Sequence, residues 1–134
     1  MDEETSKALA DLARRHDIEL ILQFGSTVKG TVHEGSDLDI AVLFGRRPPG
    51  LDERGAIVQD LRAVFPGREV DLAALDRADP LFLKQVLENC RRLAGSPRRF
   101  AELKIYAFKR YQDHRPYLAL ERAYVDRVLE QRGR

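Results

Sequence analysis

Two short apolar runs, each ending or beginning at chemistry-bearing residues, restrict this chain more than any other feature. Ile18 to Phe24 is built of Ile, Leu and Phe and stops at Gly25-Ser26. Ten residues later Asp37-Leu38-Asp39 leads into Ile40-Ala41-Val42-Leu43-Phe44. Each run is too short for a helix and is bounded by turn residues, the pattern of a buried strand. The second alternates at first and then becomes wholly apolar, as a central strand does. Residues i and i+2 of a strand project to one face, so Asp37 and Asp39 are expected side by side. Two adjacent anions in an apolar strand are costly unless a positive charge compensates them.

The flanking segments fit a mixed α/β domain. Glu3 to Arg15 places Ala8, Leu9, Leu12 and Ala13 on one helical face, with Thr5 or Ser6 as a cap and His16-Asp17 as its end. Thr27 to Ser36 holds Gly30 and Gly35 and supports a short helix and a loop. Arg46-Arg47-Pro48-Pro49 marks another loop. Asp52 to Phe65 has helical spacing and meets Pro66-Gly67, and Glu69 to Leu75 reads as a third strand. Asp79-Pro80 and Ser96-Pro97 are both cap-plus-proline helix starts. The first opens a helix to about Asn89, and the second a basic helix through Phe100, Leu103, Ile105, Phe108 and Tyr111. Arg91 to Gly95 has room for a short extended piece. Pro116 predicts a kink or break near His114-Arg115, followed by a last helix to about Gln131. The order α, β, α, β, α, β, α, α implies a small mixed β-sheet flanked by helices, with a helical, basic C-terminal part. We expect one domain over residues 1–134, with a catalytic core at about 17–90 and a helical segment at about 96–131.

Composition agrees with one domain holding one real core: 134 residues, 43% hydrophobic and 34% charged. No apolar run approaches the roughly 18 residues a membrane span needs. The acidic N-terminus lacks the pattern of a secretory leader. Cys90, the single cysteine, cannot form an internal disulfide; together these imply a cytoplasmic protein. The net charge of +1 conceals a split. Residues 1–90 carry 11 basic and 17 acidic side chains, whereas residues 91–134 carry 12 and 5. An acidic body is suited to a metal, and a basic end to an acidic partner.

The chemistry follows from the residue types. Mg²⁺ in phosphoryl-transfer sites is held by one or two carboxylates plus substrate phosphates, which Asp37 and Asp39 are able to supply. Asp71, in Val-Asp-Leu-Ala-Ala-Leu, is a third carboxylate in an apolar strand. If that strand neighbours the second, Asp71 reaches the same site as a metal ligand or a base. Gly25 permits a tight turn and close approach of backbone N–H groups to phosphate. Ser26 adds a hydroxyl at a helix start, and Lys29 a cation. The competing structural reading leaves Asp37 as a turn residue after Gly35-Ser36 and Asp39 as a solvent-facing edge residue. Three acids and a Gly-Ser turn on the expected strands weigh against it.

Gly25-Ser26, ten residues, then Asp37-x-Asp39 resembles the signature of the DNA polymerase β-like nucleotidyltransferases, and the string from Phe24 to Val42 resembles their minimal branch. Val70-Asp71-Leu72, Asp79-Pro80-Leu81, and Phe100 through Tyr111 to Pro116 resemble the MntA-type antitoxins that pair with HEPN-domain toxins. The resemblance implies a protein adenylyltransferase that moves AMP from ATP to a tyrosine of a cognate HEPN ribonuclease toxin, neutralising it within a hetero-oligomer. By motif position it implies Asp37, Asp39 and Asp71 as catalytic and Mg²⁺-binding residues. Gly25 and Ser26 would hold the β- and γ-phosphates, and Asp71 is the favoured base. Lys29 stands where relatives often carry arginine, and would contact phosphate as a point charge without a bidentate fork. The rival functions are nucleotidyl transfer to a small molecule or nucleic-acid end, and neutralisation by contact alone.

Other residues are discounted. His16, His33 and His114 lack ligand spacing, so zinc is not expected. Cys90, placed at a helix end, reads as a packing residue. The basic stretch from Arg91 and Arg92 through Arg98, Arg99, Lys104, Lys109 and Arg110 to Arg115 is open between a solvated face, a toxin-docking surface and, less favoured, a nucleic-acid contact. Phe100, Tyr106, Phe108 and Tyr111, at helical spacing, are expected in the core rather than as a stacking platform.

Overall fold

A computed structural model describes residues 2–25 and 37–132. The elements run α1 (Glu3–Arg15), β1 (Leu20–Phe24), β2 (Leu38–Leu43), α2 (Leu51–Val64), β3 (Val70–Ala74), α3 (Pro80–Glu88), β4 (Cys90–Ala94) and α4 (Pro97–Arg132). The four strands form one mixed sheet in the order β3-β2-β1-β4. β1 pairs antiparallel with β2 and with β4, while β2 and β3 are parallel, joined through α2.

Strand periodicity divides the core in two. Leu38, Ile40 and Val42 face α1 and α2, where they meet Leu9, Leu12, Ile57 and Leu61. Ala41 and Leu43, with Leu20 and Leu22 of β1, face Leu83 and Val86 of α3 and Leu103 and Ala107 of α4. Full burial of a Leu or Ile side chain is worth about 1.5–3 kcal/mol, so a sheet covered on both faces explains why β2 has no polar residue after Asp39.

Helix starts obey local chemistry. The α1 cap is Asp2, whose carboxylate accepts from Thr5 N at 2.7 Å, in place of the expected Thr5 or Ser6. The earlier cap places Glu3 and Glu4 in the first turn, where the helix dipole favours acids. Asp79 accepts from Phe82 N at 2.9 Å, and Ser96 Oγ accepts from Arg99 N at 3.0 Å, as their cap-plus-proline patterns predict. The extended piece expected at Arg91 to Gly95 is the edge strand β4.

Two expectations are corrected in α4. The helix runs unbroken for 36 residues through Pro116, about 54 Å at 1.5 Å per residue. The ring of Pro116 lies on an exposed face, so the helix forfeits one N–H donor without driving the ring into packed neighbours. Leu103 and Ala107 are buried, but Tyr106 and Phe108 are 48% and 64% exposed, so those two aromatics are not core. Beyond α3 the helix has no sheet beneath it, and Tyr117, Leu120, Tyr124, Val125 and Leu129 are exposed as well.

Candidate active site

The sheet register assembles the acids. Asp39 of β2 is directly opposite Asp71 of the parallel strand β3, and also opposite Phe24, the last residue of β1. Asp37 lies one residue before β2, within reach of the same sheet end. The neighbouring third strand, expected from the sequence as the condition for Asp71 to join the site, is therefore present.

Gly25 turns the chain immediately after β1 with φ +84°, a left-handed conformation that glycine adopts without penalty. Space demands glycine there too. A Cβ on Gly25 would overlap Asp39 Oδ2 and lie 3.3 Å from its Cγ. The Asp39 carboxylate thus rests against the bare Cα of the turn. One small residue both bends the backbone and leaves room for the acid.

Electrostatics follow from this placement. The Asp39 carboxyl titrates above the usual carboxylate range, first because burial disfavours its charged form, then because Asp71 and Asp37 stand near it. Asp37 and Asp71 are exposed. Among the described residues, no group of three or more His, Cys, Asp or Glu is arranged to hold a metal ion by itself. The donor set nonetheless fits Mg²⁺: carboxylate oxygens only, with Asp39 partly buried and Asp37 and Asp71 open to solvent, where substrate phosphates and water would supply the remaining ligands. Ser26 and Lys29, expected to contact phosphate, and His33 lie outside the described residues.

The supporting shell holds residues that the sequence pattern did not single out. Phe82 of α3 meets Phe24 edge-on, with ring centroids 6.1 Å apart. Gln23, buried within β1, accepts from Arg91 Nη2 of β4 at 2.8 Å. Both contacts brace the strand end that carries Gly25. A glutamine inside an apolar run was the available signal for the second. Cys90 begins β4 instead of ending a helix, and its half-buried thiol lies 3.7 Å from Leu87 O. Burial pushes that thiol up, against a smaller opposing effect of Lys104, consistent with packing and not with a nucleophile. His16, the α1 C-cap, bonds Asp60 of α2 at 2.7 Å through Nε2 and serves helix packing.

The family model for polymerase β nucleotidyltransferases matches residues 7–98, from α1 into the start of α4. The chain belongs to this family. The matched residues include the Gly25 turn after β1, the two acids entering β2 and the third on β3. The chain is 30% identical over 112 residues to the protein adenylyltransferase MntA of Shewanella oneidensis, covering 84% of this chain and 77% of that protein. It superimposes with a TM-score of 0.73 on a chain of a toxin–antitoxin structure containing AMP-PNP, at 28% identity over 92% of this chain and 98% of the other. The fold is shared with a chain from the complex of a tri-AMPylated Shewanella oneidensis HEPN toxin and its MNT antitoxin. There the TM-score is 0.69 at 24% identity, over 96% of this chain and 99% of that one. The mixed sheet with a helical C-terminal part, expected from the sequence, is the nucleotidyltransferase fold.

Proposed function

We propose that this nucleotidyltransferase is an antitoxin that transfers AMP from ATP to a tyrosine hydroxyl of a cognate HEPN-type toxin. The observation that carries the proposal is the set of three acids on one sheet end, with Asp39 against Gly25 and opposite Asp71. Similarity to a protein adenylyltransferase and to a toxin–antitoxin structure holding an ATP analogue supports the donor and the partner.

In this reading Asp37 and Asp39 hold Mg²⁺, with Asp71 available to a second ion. Bound there, the metal supplies charge neutralisation and Lewis acidity at the phosphates. By motif position, Gly25 and Ser26 would hold the β- and γ-phosphates and Lys29 would add a cation. A tyrosine hydroxyl has an ordinary pKa of about 10, so it needs a base at neutral pH. Asp71 takes that proton, and its exposure leaves room for a side chain offered by a second protein. The tyrosine oxygen attacks the α-phosphorus, the bond to the β-phosphate breaks, and pyrophosphate leaves in line. No helix among the described residues is long and apolar enough to cross a membrane.

Incubation with labelled ATP, Mg²⁺ and the partner toxin should place AMP on a partner tyrosine, read by intact mass and fragmentation. Asp37→Ala with Asp39→Ala should abolish the label. A partner neutralised without any mass increase would instead establish inhibition by contact alone. Label on a small molecule or nucleic-acid end, with none on protein, would establish the other rival.

A further inference from the structure

A second concentration of charge lies further along the sheet edge. Arg47, Arg54 and Arg77 line a pocket of about 500 Å³, walled by Pro48, Pro49 and the end of β3 at Ala74. Along β3 the pocket lining begins at Leu72, directly after Asp71, and runs through Ala73 to Ala74, the end of the strand away from the carboxylates. No acidic side chain lines the pocket. Among the described residues, the guanidinium groups of Arg47, Arg54 and Arg77 make no ion pair or hydrogen bond.

That lack of partners contrasts with the neighbourhood. Arg46, one residue away, is engaged by Asp17 at 3.0 Å and by Glu53 at 3.2 Å. Asp76, beside Arg77, accepts instead from the backbone N–H groups of Phe44 and Gly45 at 3.0–3.2 Å. Helix α2 starts shortly after the pocket's Pro49, with Gly50 as an N-cap that makes no side-chain bond, although Asp52 and Glu53 in its first turn offset its dipole. Three guanidinium groups gathered without counter-charge repel one another, and an anion placed among them relieves that repulsion. Their planar forks match phosphate oxygens bidentately. The volume suits a small ligand, and the Pro48-Pro49 wall limits the backbone's freedom to collapse into the space.

We propose that this pocket binds a small oligophosphate, of the pyrophosphate or triphosphate type, independently of the carboxylate site. The inference does not rest on AMP transfer. The test is calorimetric titration of the full chain with sodium tripolyphosphate, at low salt and in EDTA, which removes divalent metal from the carboxylates. One equivalent should bind. Arg54→Ala with Arg77→Ala should weaken binding roughly 100-fold, about tenfold per charge-assisted contact. Arg47→Ala, in an exposed loop, should weaken it about tenfold and serves should the double variant fail to fold. Asp37→Ala with Asp39→Ala should bind as the parent does. The proposal is overturned if the parent does not bind, if the arginine variants bind unchanged, or if the aspartate variant loses binding. A short single-stranded RNA binding more tightly than tripolyphosphate, with the same arginine dependence, would also overturn it in favour of a nucleic-acid backbone.

Discussion

At the scale of single residues, Gly25 and Asp39 depend on each other. Alanine at position 25 would adopt a left-handed φ at a cost of about 1–2 kcal/mol and would press its methyl group into the Asp39 carboxylate. We expect Gly25→Ala to lower AMP transfer by about 100-fold or more, since a 1 Å misplacement in such a site carries that cost. Denaturant unfolding should show only the modest stability loss. Asp39 gives a pH prediction. Its folded-state carboxyl titrates above the unfolded value, so between the two values the folded chain holds more protons than the unfolded one. Stability from this group is therefore present at acid pH and declines as pH rises through the folded value. In EDTA at pH 7, Asp39→Asn should raise Tm by about 1–3 °C, an advantage that disappears toward pH 4. Mg²⁺ with ATP should raise the Tm of the parent and not of Asp39→Asn. Scanning calorimetry in both buffers checks each outcome. The acids were legible in sequence because carboxylates in apolar strands demand a reason. The steric fit of Gly25 to Asp39 was not, because it depends on strand register.

At the scale of elements, the Phe82 brace of the site comes from a helix that pattern alone located well. Asp79 caps α3, and α3 carries Phe82 onto Phe24, one residue before the Gly25 turn. Asp79→Ala should cost about 1 kcal/mol of stability, read as a shift in denaturation midpoint, and should loosen the turn indirectly. A fall in transfer rate that Asp79→Ser restores, at unchanged Asp37 and Asp39, would identify capping as the cause. Proline misled the sequence reading at 116 because its penalty is set by surroundings. On an exposed face of a helix projecting past the sheet, the missing N–H is tolerated. Tyr106 and Phe108 misled it in the same way: helical spacing names a face, but not whether anything covers that face. Pro116→Ala should increase helical circular dichroism in α4 while leaving the midpoint of global unfolding nearly unchanged. The residues beyond it contribute little to the two cores.

At the scale of the whole molecule, the charge split resolves into three zones once α4 is seen as one rod. The sheet end around Asp37, Asp39 and Asp71 is acidic. Residues 91–111 hold seven basic side chains against Glu102 alone, and residues 112–134 are close to balanced, with five basic and four acidic. The basic character that the sequence assigned to the whole C-terminal part belongs to β4 and the first half of α4. The second half instead exposes Tyr117, Leu120 and Tyr124 at spacings of three and four residues, one side of the rod. A toxin gripping this chain through the basic zone and one gripping it through the apolar side differ in salt dependence, because exposed charges are screened and apolar burial is not. Arg98→Glu with Lys109→Glu should weaken a charge-driven complex several-fold at low salt, an effect that fades by 0.5 M salt. Tyr117→Ala with Leu120→Ala and Tyr124→Ala should weaken an apolar complex at every salt concentration, by tenfold or more if these aromatics are its anchors. We expect the second outcome to dominate affinity and the first to govern the association rate. Surface-captured toxin, with both variants measured at two ionic strengths, separates them. If neither variant changes binding, α4 is not the docking element, and the partner must be held by the catalytic body.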